Sequence, residues 1–463
     1  MSEAIFRMSL KSPDGQETAA RSLDSLPSVS LFPGILRKSP FAYLSQAARD
    51  HGDFVRLKIG PKSVYLVSDP ALFQHILRDQ VKIYRKSPFL YNAAKPMVGE
   101  GLLTSEGETW LRQRRMIQPY FHRQRIAVFS RMMTDVIAAT MQTWDASGET
   151  NIDIGAYMAQ LTVEIVSRTL FGTSTLDAAD ITSLGRDMMS AANYVALRGY
   201  TPFIPQSIPL PGHSRFQSAI GRLTQAVNTI IEAGKQSGDD DSLIMMLLEA
   251  VDEETNERMT RKQLFDEVMT IFSAGFETTA TALTWLWVLL GQHPDVEHKL
   301  RDEIDAALQG RVPTIGDIPN LTYTRQVLQE AMRVYPPIPM LPRTATEDDI
   351  ALGYHVPKGS IFLMFYYGVH HNPKHWNNPE AFDPERFASS NRDARHRFAY
   401  IPFSAGPRQC IGSEFAMMEG TLVLAMMMQR YHLELAPDQP FLPNLSATLK
   451  PNRDIRAILT RRN

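Results

Sequence analysis

From Val268 to Leu290 the chain runs apolar for long enough to cross a membrane, yet Glu277 sits near the middle of the run. That carboxylate decides what the segment can become. A charge at mid-bilayer is costly, Gly275, Thr278 and Thr279 flank it, and no second segment offers itself as a bundle partner. The remaining solution is a helix that is apolar on nearly all sides because protein surrounds it. The helical pattern extends from Arg261 to about Gly291, so a long buried central helix is expected. A chain built around it is large and mainly α, with small β-sheets.

The second constraint is the single cysteine. Cys410 sits in Phe403-Ser-Ala-Gly406-Pro-Arg408-Gln-Cys410-Ile-Gly412. One cysteine forms no internal disulfide, and a zinc or iron–sulfur centre needs more soft ligands. Most cysteines of this kind are plain core residues, but the frame argues otherwise. Gly406-Pro407 marks a tight turn, and Ser413 to Arg430 reads as a mostly apolar helix. The thiol therefore precedes a helix N-terminus, where amide N–H groups and the dipole favour the thiolate. One thiolate of this sort suits an axial ligand to haem iron. Arg408 can grip a propionate in two-point fashion, Phe403 can shield the sulfur, and Gly412 lets the backbone approach a flat macrocycle.

This segment resembles the cysteine-ligand loop of the cytochrome P450 superfamily, the haem-thiolate monooxygenases, and the resemblance runs from about Leu31 to the end. It implies the cytochrome P450 fold, an α+β arrangement with haem b between a long central helix and the cysteine loop. Residues 31–463 then form one domain without a fused reductase, after a polar, flexible segment 1–30. In Ser273-Ala274-Gly275-Phe276-Glu277-Thr278-Thr279 the resemblance is to the family's acid–alcohol pair. Ala274 and Gly275 leave room for dioxygen and substrate. Thr278 is expected to orient or donate at the activated oxygen, with Glu277 as relay acid. A mid-helix threonine also bonds back to a carbonyl and loosens the ladder.

Other segments take their roles from the same resemblance. Trp110 and Arg114 share a helix face and resemble the family's propionate-binding pair; Arg343 and Lys86 resemble further propionate contacts. Glu330, Arg333 and Arg386 resemble a buried network that braces the haem core, a structural role. Val334 to Arg343, rich in proline, is extended and would line a substrate cavity with Phe89, Leu90, Phe276, Ile338 and Met340. Strand-like pieces are expected at Phe54–Leu66 and Ile361–Tyr367. Met188, Met189 and the prolines up to Pro211 fit a lid by family analogy, though such methionines are more often core.

The activity implied is insertion of one oxygen atom of O2 into a hydrophobic molecule by hydroxylation or epoxidation. Fatty acids, terpenoids or steroids, and polyketide-like compounds all suit it. A peroxide-driven peroxygenase and a non-catalytic haem sensor are the rivals. No dinucleotide fingerprint follows a strand, so electrons would come from a ferredoxin with its reductase or a flavodoxin-type donor. Arg112, Arg114, Arg115, Arg123 and Arg125 form a basic cluster in a chain of net charge −2, a candidate face for an acidic donor. Ser404-Ala405 and Arg408 depart from the glycine and histidine of many small soluble members and look more like the fatty-acid-hydroxylase or eukaryotic-type branch. The donor class is thereby left open. The first thirty residues hold no apolar run for a signal or anchor. A cytoplasmic monomer of bacterial type, with no nucleic-acid partner and no membrane anchor, is expected.

Overall fold

The computed structural model describes residues 9–11, 17–31, 39–59, 62–172, 178–201, 204–237, 242–391, 395–437 and 440–462. The chain divides into two compact units, each assembled from separate stretches. The first comprises residues 1–88, 338–381 and 394–410; the second comprises 89–337, 382–393 and 411–463.

The first unit is built on a mixed sheet. Its strands are β1 (Ser28–Ser30), β2 (Phe54–Ile59), β3 (Lys62–Val67), β4 (Tyr84–Lys86), β5 (Met340–Ala345) and β6 (Ile361–Phe365), in the order β1-β2-β3-β6-β5-β4. The Phe54–Leu66 stretch expected as one strand is thus an antiparallel pair, with Phe54 opposite Val67. The piece expected at Ile361–Tyr367 is a strand to Phe365, followed by a short helix, Tyr366–His370. Val55 and Leu66 are fully buried, and Phe362 packs with Leu72, Phe73 and Tyr366 in one core.

The segment 1–30, expected to be flexible, is partly woven into this unit. Arg21–Ser22 pairs in parallel with Tyr354–Val356, and β1 pairs with β2. Leu23 and Leu26 are buried in the core, and two leucines removed from water tie the segment down. Residues 1–8 and 12–16 lie outside the described residues.

The second unit is mainly helical. The helices that matter for the site are α1 (Gly107–Ile117), α2 (Arg261–Gln292), α3 (Thr322–Val334) and α4 (Ser413–Arg430). α2 starts in a capping box, in which Thr260 accepts from the Gln263 amide and the Gln263 side chain accepts from the Thr260 amide. From Ala280 to Leu290 every residue of α2 is buried. Gly275 lets α2 approach the helix Ile154–Phe171, where a Cβ would come within 3.1 Å of Val166. Among the described residues no helix is long and apolar enough to cross a membrane. Met188 is fully buried, so there the core reading of the methionines holds. Phe203 and the side chains of Phe89, Arg123 and Arg125 lie outside the described residues.

Candidate haem site

The cysteine loop lies in the first unit. The Cys410 amide donates to the Phe403 carbonyl at 2.9 Å, which closes the loop, and Gln409 N–H donates to Gly406 O at 3.0 Å. Gly406-Pro407-Arg408 forms one 3-10 turn. Gly406 has φ 72° and Ser404 φ 59°, so two residues of this short loop are left-handed. Cys410 is exposed, and Phe403 is half-buried.

Three cations from distant parts of the chain converge on β4. The register of β4 and β5 places Lys86 directly opposite Arg343, so their side chains share one face of the sheet. Both are buried, at 9% and 3% exposure. Arg408 donates through Nη1 to the Tyr84 carbonyl at 3.1 Å, two residues along the same strand. Like charges opposite one another destabilise a sheet unless an anion joins them. A cationic cradle of this kind fits the carboxylates of haem b.

In the second unit, Trp110 and Arg114 stand one turn apart on α1, both half-buried. Arg114 Nε donates to Gln118 Oε1 at 2.9 Å. The basic cluster expected around it is largely engaged. Arg115 makes a two-point pair with Asp252 at 3.0 Å and reaches Glu254, and Arg112 pairs with Glu257 at 3.0 Å. The acidic turn after Ala250 therefore neutralises two arginines of the expected docking face.

Halfway along α2 the burial breaks. Ala274 is exposed and Thr278, one turn later, is partly exposed, although Phe276 and Glu277 between them are buried. A narrow stripe of small side chains thus opens in an otherwise enclosed helix, which suits a flat apolar group. Thr278 Oγ1 donates to the Ala274 carbonyl at 2.8 Å. Thr279 repeats the pattern to Gly275 at 3.1 Å. The back-bonding expected of a mid-helix threonine is thus present at two successive residues, while α2 runs uninterrupted through them. Phe276 is 1% exposed and packs on Phe272, which makes it core here rather than a cavity wall.

Glu277 is not beside Thr278. Neighbouring residues on a helix do not face each other, and the Glu277 carboxylate points to a C-terminal hairpin, Pro443–Leu445 with Leu449–Pro451. Lys450 Nζ lies 2.8 Å from Glu277 Oε1, and Thr448 Oγ1 donates to the same oxygen at 3.2 Å. Sequence reading singled out Glu277 and missed Lys450, because a lone lysine in a terminal strand carries no local signal.

The Glu330 network is present in the second unit. Arg333 grips Glu330 through two bonds of 2.7 and 2.8 Å, with both side chains at 0% exposure. The Asp383 amide donates to Glu330 at 2.9 Å, and Arg386 Nε lies 3.3 Å from the same carboxylate. Gly412, at the N-terminus of α4, has nothing within 4 Å of where a Cβ would stand.

A loop carrying the one cysteine of the chain, a cation cradle and an opened central helix are the features of a haem-thiolate protein. The comparison with known proteins agrees. Residues 22–457 match the family profile described as Cytochrome P450. Cyclooctatin synthase of Streptomyces melanosporofaciens is 35% identical, with 91% of this chain and 92% of that protein covered. Pentalenene oxygenase of Streptomyces avermitilis is 31% identical, covering 92% and 94%. The crystal structure of the cytochrome P450DA heme domain superposes with a TM-score of 0.86 at 25% identity, covering 95% of this chain and 97% of that one. The chain belongs to the cytochrome P450 family. It is a haem-dependent monooxygenase with haem b as its cofactor.

Proposed function

We propose that this enzyme oxidises an apolar terpenoid-type skeleton, adding one oxygen atom at a C–H or C=C bond. For hydroxylation the balance is substrate, O2, two electrons and two protons to alcohol and water. The observation that carries the haem assignment is Cys410, the one cysteine of the chain, held on a backbone-closed loop. The substrate class rests on the relatives, whose names include cyclooctatin synthase, cyclooctat-9-en-7-ol 5-monooxygenase and pentalenene oxygenase.

When bound, haem b supplies the redox centre at which dioxygen is activated. The chain's own groups do the rest. Cys410 gives the thiolate ligand, shielded by Phe403. Lys86, Arg343 and Arg408 would hold propionate, and Trp110 and Arg114 take the same role from the family resemblance. Ala274 and Gly412, each without a bulky side chain, would leave room for the macrocycle. Thr278 holds a hydroxyl proton at its Oγ1, and Glu277 resupplies it. Electrons come from a separate ferredoxin- or flavodoxin-type donor, and the enzyme works as a cytoplasmic monomer.

The decisive experiment is the carbon monoxide difference spectrum of the reduced protein beside Cys410→Ser. A strongly red-shifted Soret band in the parent, lost in the variant, is expected; a band unchanged in Cys410→Ser overturns the ligand assignment. Spectral titration with cyclic terpenes against long-chain fatty acids then tests the substrate class, and tighter fatty-acid binding overturns it. Turnover with peroxide alone at the rate of the reduced system would favour a peroxygenase.

A further inference from the structure

Glu277, Thr281 and Trp285 occupy positions i, i+4 and i+8 of α2 and so form one stripe. Together they are tied to three consecutive residues of the C-terminal hairpin, Thr448, Leu449 and Lys450. Glu277 meets Lys450 at 2.8 Å and Thr448 at 3.2 Å. Thr281 Oγ1 lies 3.0 Å from Thr448 Oγ1. Trp285 Nε1 donates to the Leu449 carbonyl at 2.7 Å. The Thr448 hydroxyl has one proton, which goes to the carboxylate, so Thr281 must be the donor to Thr448. The chain of polarity therefore runs Thr281 to Thr448 to Glu277, with Lys450 closing it.

The anchorage is rigid at one end and open at the other. Leu449 is fully buried, its amide donates to Pro337 O at 2.9 Å, and Trp285 stacks on Tyr335 with ring centroids 3.7 Å apart. Thr448 is buried, whereas the Lys450 side chain keeps 28% exposure against 7% for that of Glu277. Among the described residues this nearly buried carboxylate thus has one charged partner, and that partner reaches it from the solvent side. Thr278 projects about 100° further round the helix. Glu277 can keep Lys450 or turn toward Thr278, and a carboxylate cannot do both through one short side chain.

We propose that Lys450 is a positioning residue for Glu277. Its ion pair parks the carboxylate on the hairpin, and Thr448 fixes the rotamer, so that the hairpin governs when Glu277 is available for proton delivery. The inference rests on the reading of Glu277 as relay acid. Without Lys450 the carboxylate loses its hold and the relay is mistimed.

The test uses Lys450→Met, Lys450→Arg, Thr448→Val, Glu277→Gln and Glu277→Gln/Lys450→Met in the haem-loaded enzyme. Product formed per electron pair should fall more than threefold in Lys450→Met, with hydrogen peroxide making up the difference and the spectral Kd for substrate within twofold of the parent. Lys450→Arg should restore coupling, and Thr448→Val should show an intermediate loss. In the Glu277→Gln background Lys450→Met should add nothing. Coupling within 1.5-fold of the parent in Lys450→Met, or an equal loss in both backgrounds, overturns the proposal. Thermal midpoints give a readout independent of turnover: the drop caused by Lys450→Met should shrink by at least half once Glu277 is Gln, and full additivity overturns the pairing. If Glu277→Gln itself couples like the parent, the relay reading falls and takes the positioning role with it, whatever the midpoints show.

Discussion

Gly406 leaves no space for a side chain against Leu77: a Cβ at Gly406 would stand 2.1 Å from the Leu77 carbonyl oxygen. The residue also has φ 72°, where an L side chain is strained. The cysteine loop therefore presses its backbone onto the π-helical turn His75–Asp79, and only glycine permits it. Gly406→Ala should cost about 2 kcal/mol or more and lower haem content on purification. Ser404, at φ 59°, is the contrasting case, since its hydroxyl accepts from Tyr366 at 3.0 Å. Ser404→Gly relieves about 1 kcal/mol of backbone strain and loses about as much in hydrogen bonding, so stability should change by less than ~1 kcal/mol. Denaturant unfolding and the haem-to-protein absorbance ratio check both.

Glu330 is a buried carboxylate held by Arg333, Arg386 and the Asp383 amide. Removing the charge takes this carboxylate from two guanidinium groups: that of Arg333 is fully buried, and that of Arg386 keeps Asp383 at 3.9 Å. Glu330→Gln should cost about 3–5 kcal/mol. Arg386→Met removes the partner at the rim, 11% exposed, and should cost less than half as much. Equal losses in thermal or denaturant unfolding would mean that the three groups do not form the graded network the distances describe.

The features legible in the sequence are those written in short-range pattern. Apolar periodicity gives α2, from Arg261, and α4, and the proline at 336 ends α3 at Val334. The cysteine frame gives the ligand loop. What stays hidden depends on register and long-range approach. Lys86 and Arg343 are brought together only by the pairing of β4 with β5. Lys450 finds Glu277 because Trp285 and Pro337 fix Leu449 beside it. The fate of Arg112 and Arg115 is set by acids more than a hundred residues away, as the separation of 137 between Arg115 and Asp252 shows. A count of charges in one helix cannot reveal that partner.

Asp349 makes the first unit sensitive to acid. Burial pushes its carboxyl up, but hydrogen bonds from His75 at 2.6 Å and Tyr84 at 2.8 Å outweigh burial and hold it below its ordinary value of 3.8. The unfolded chain then binds this proton at higher pH than the folded one. The stabilisation is present above the ordinary value and is lost as pH falls through the lower folded one. Asp349→Asn should lower stability by about 1–2 kcal/mol at neutral pH and flatten the fall of stability below pH ~4. Denaturant midpoints across pH 2.5–7 on parent and variant check it; parallel curves would assign the acid loss to other carboxylates.

Lys86 and Arg343 place two buried cations opposite each other on the edge pair of a sheet, and this has opposite consequences with and without an anion between them. If they hold propionate as proposed, each would contribute a charge-assisted contact, a bond of the stronger kind at about 1.5–3 kcal/mol. Without that anion, like charges set opposite each other on β4 and β5 do not stabilise the pairing of the two strands. Lys86→Met keeps the buried aliphatic stem and removes the charge. It should therefore lower haem affinity about tenfold, by haem transfer to an acceptor protein, while leaving the thermal midpoint of the haem-free protein equal to or above that of the parent. Arg343→Met should do the same with a larger loss of affinity, because the guanidinium also grips in two-point fashion. A haem-free protein destabilised as much as the loaded one would show that these cations serve the sheet and not the cofactor.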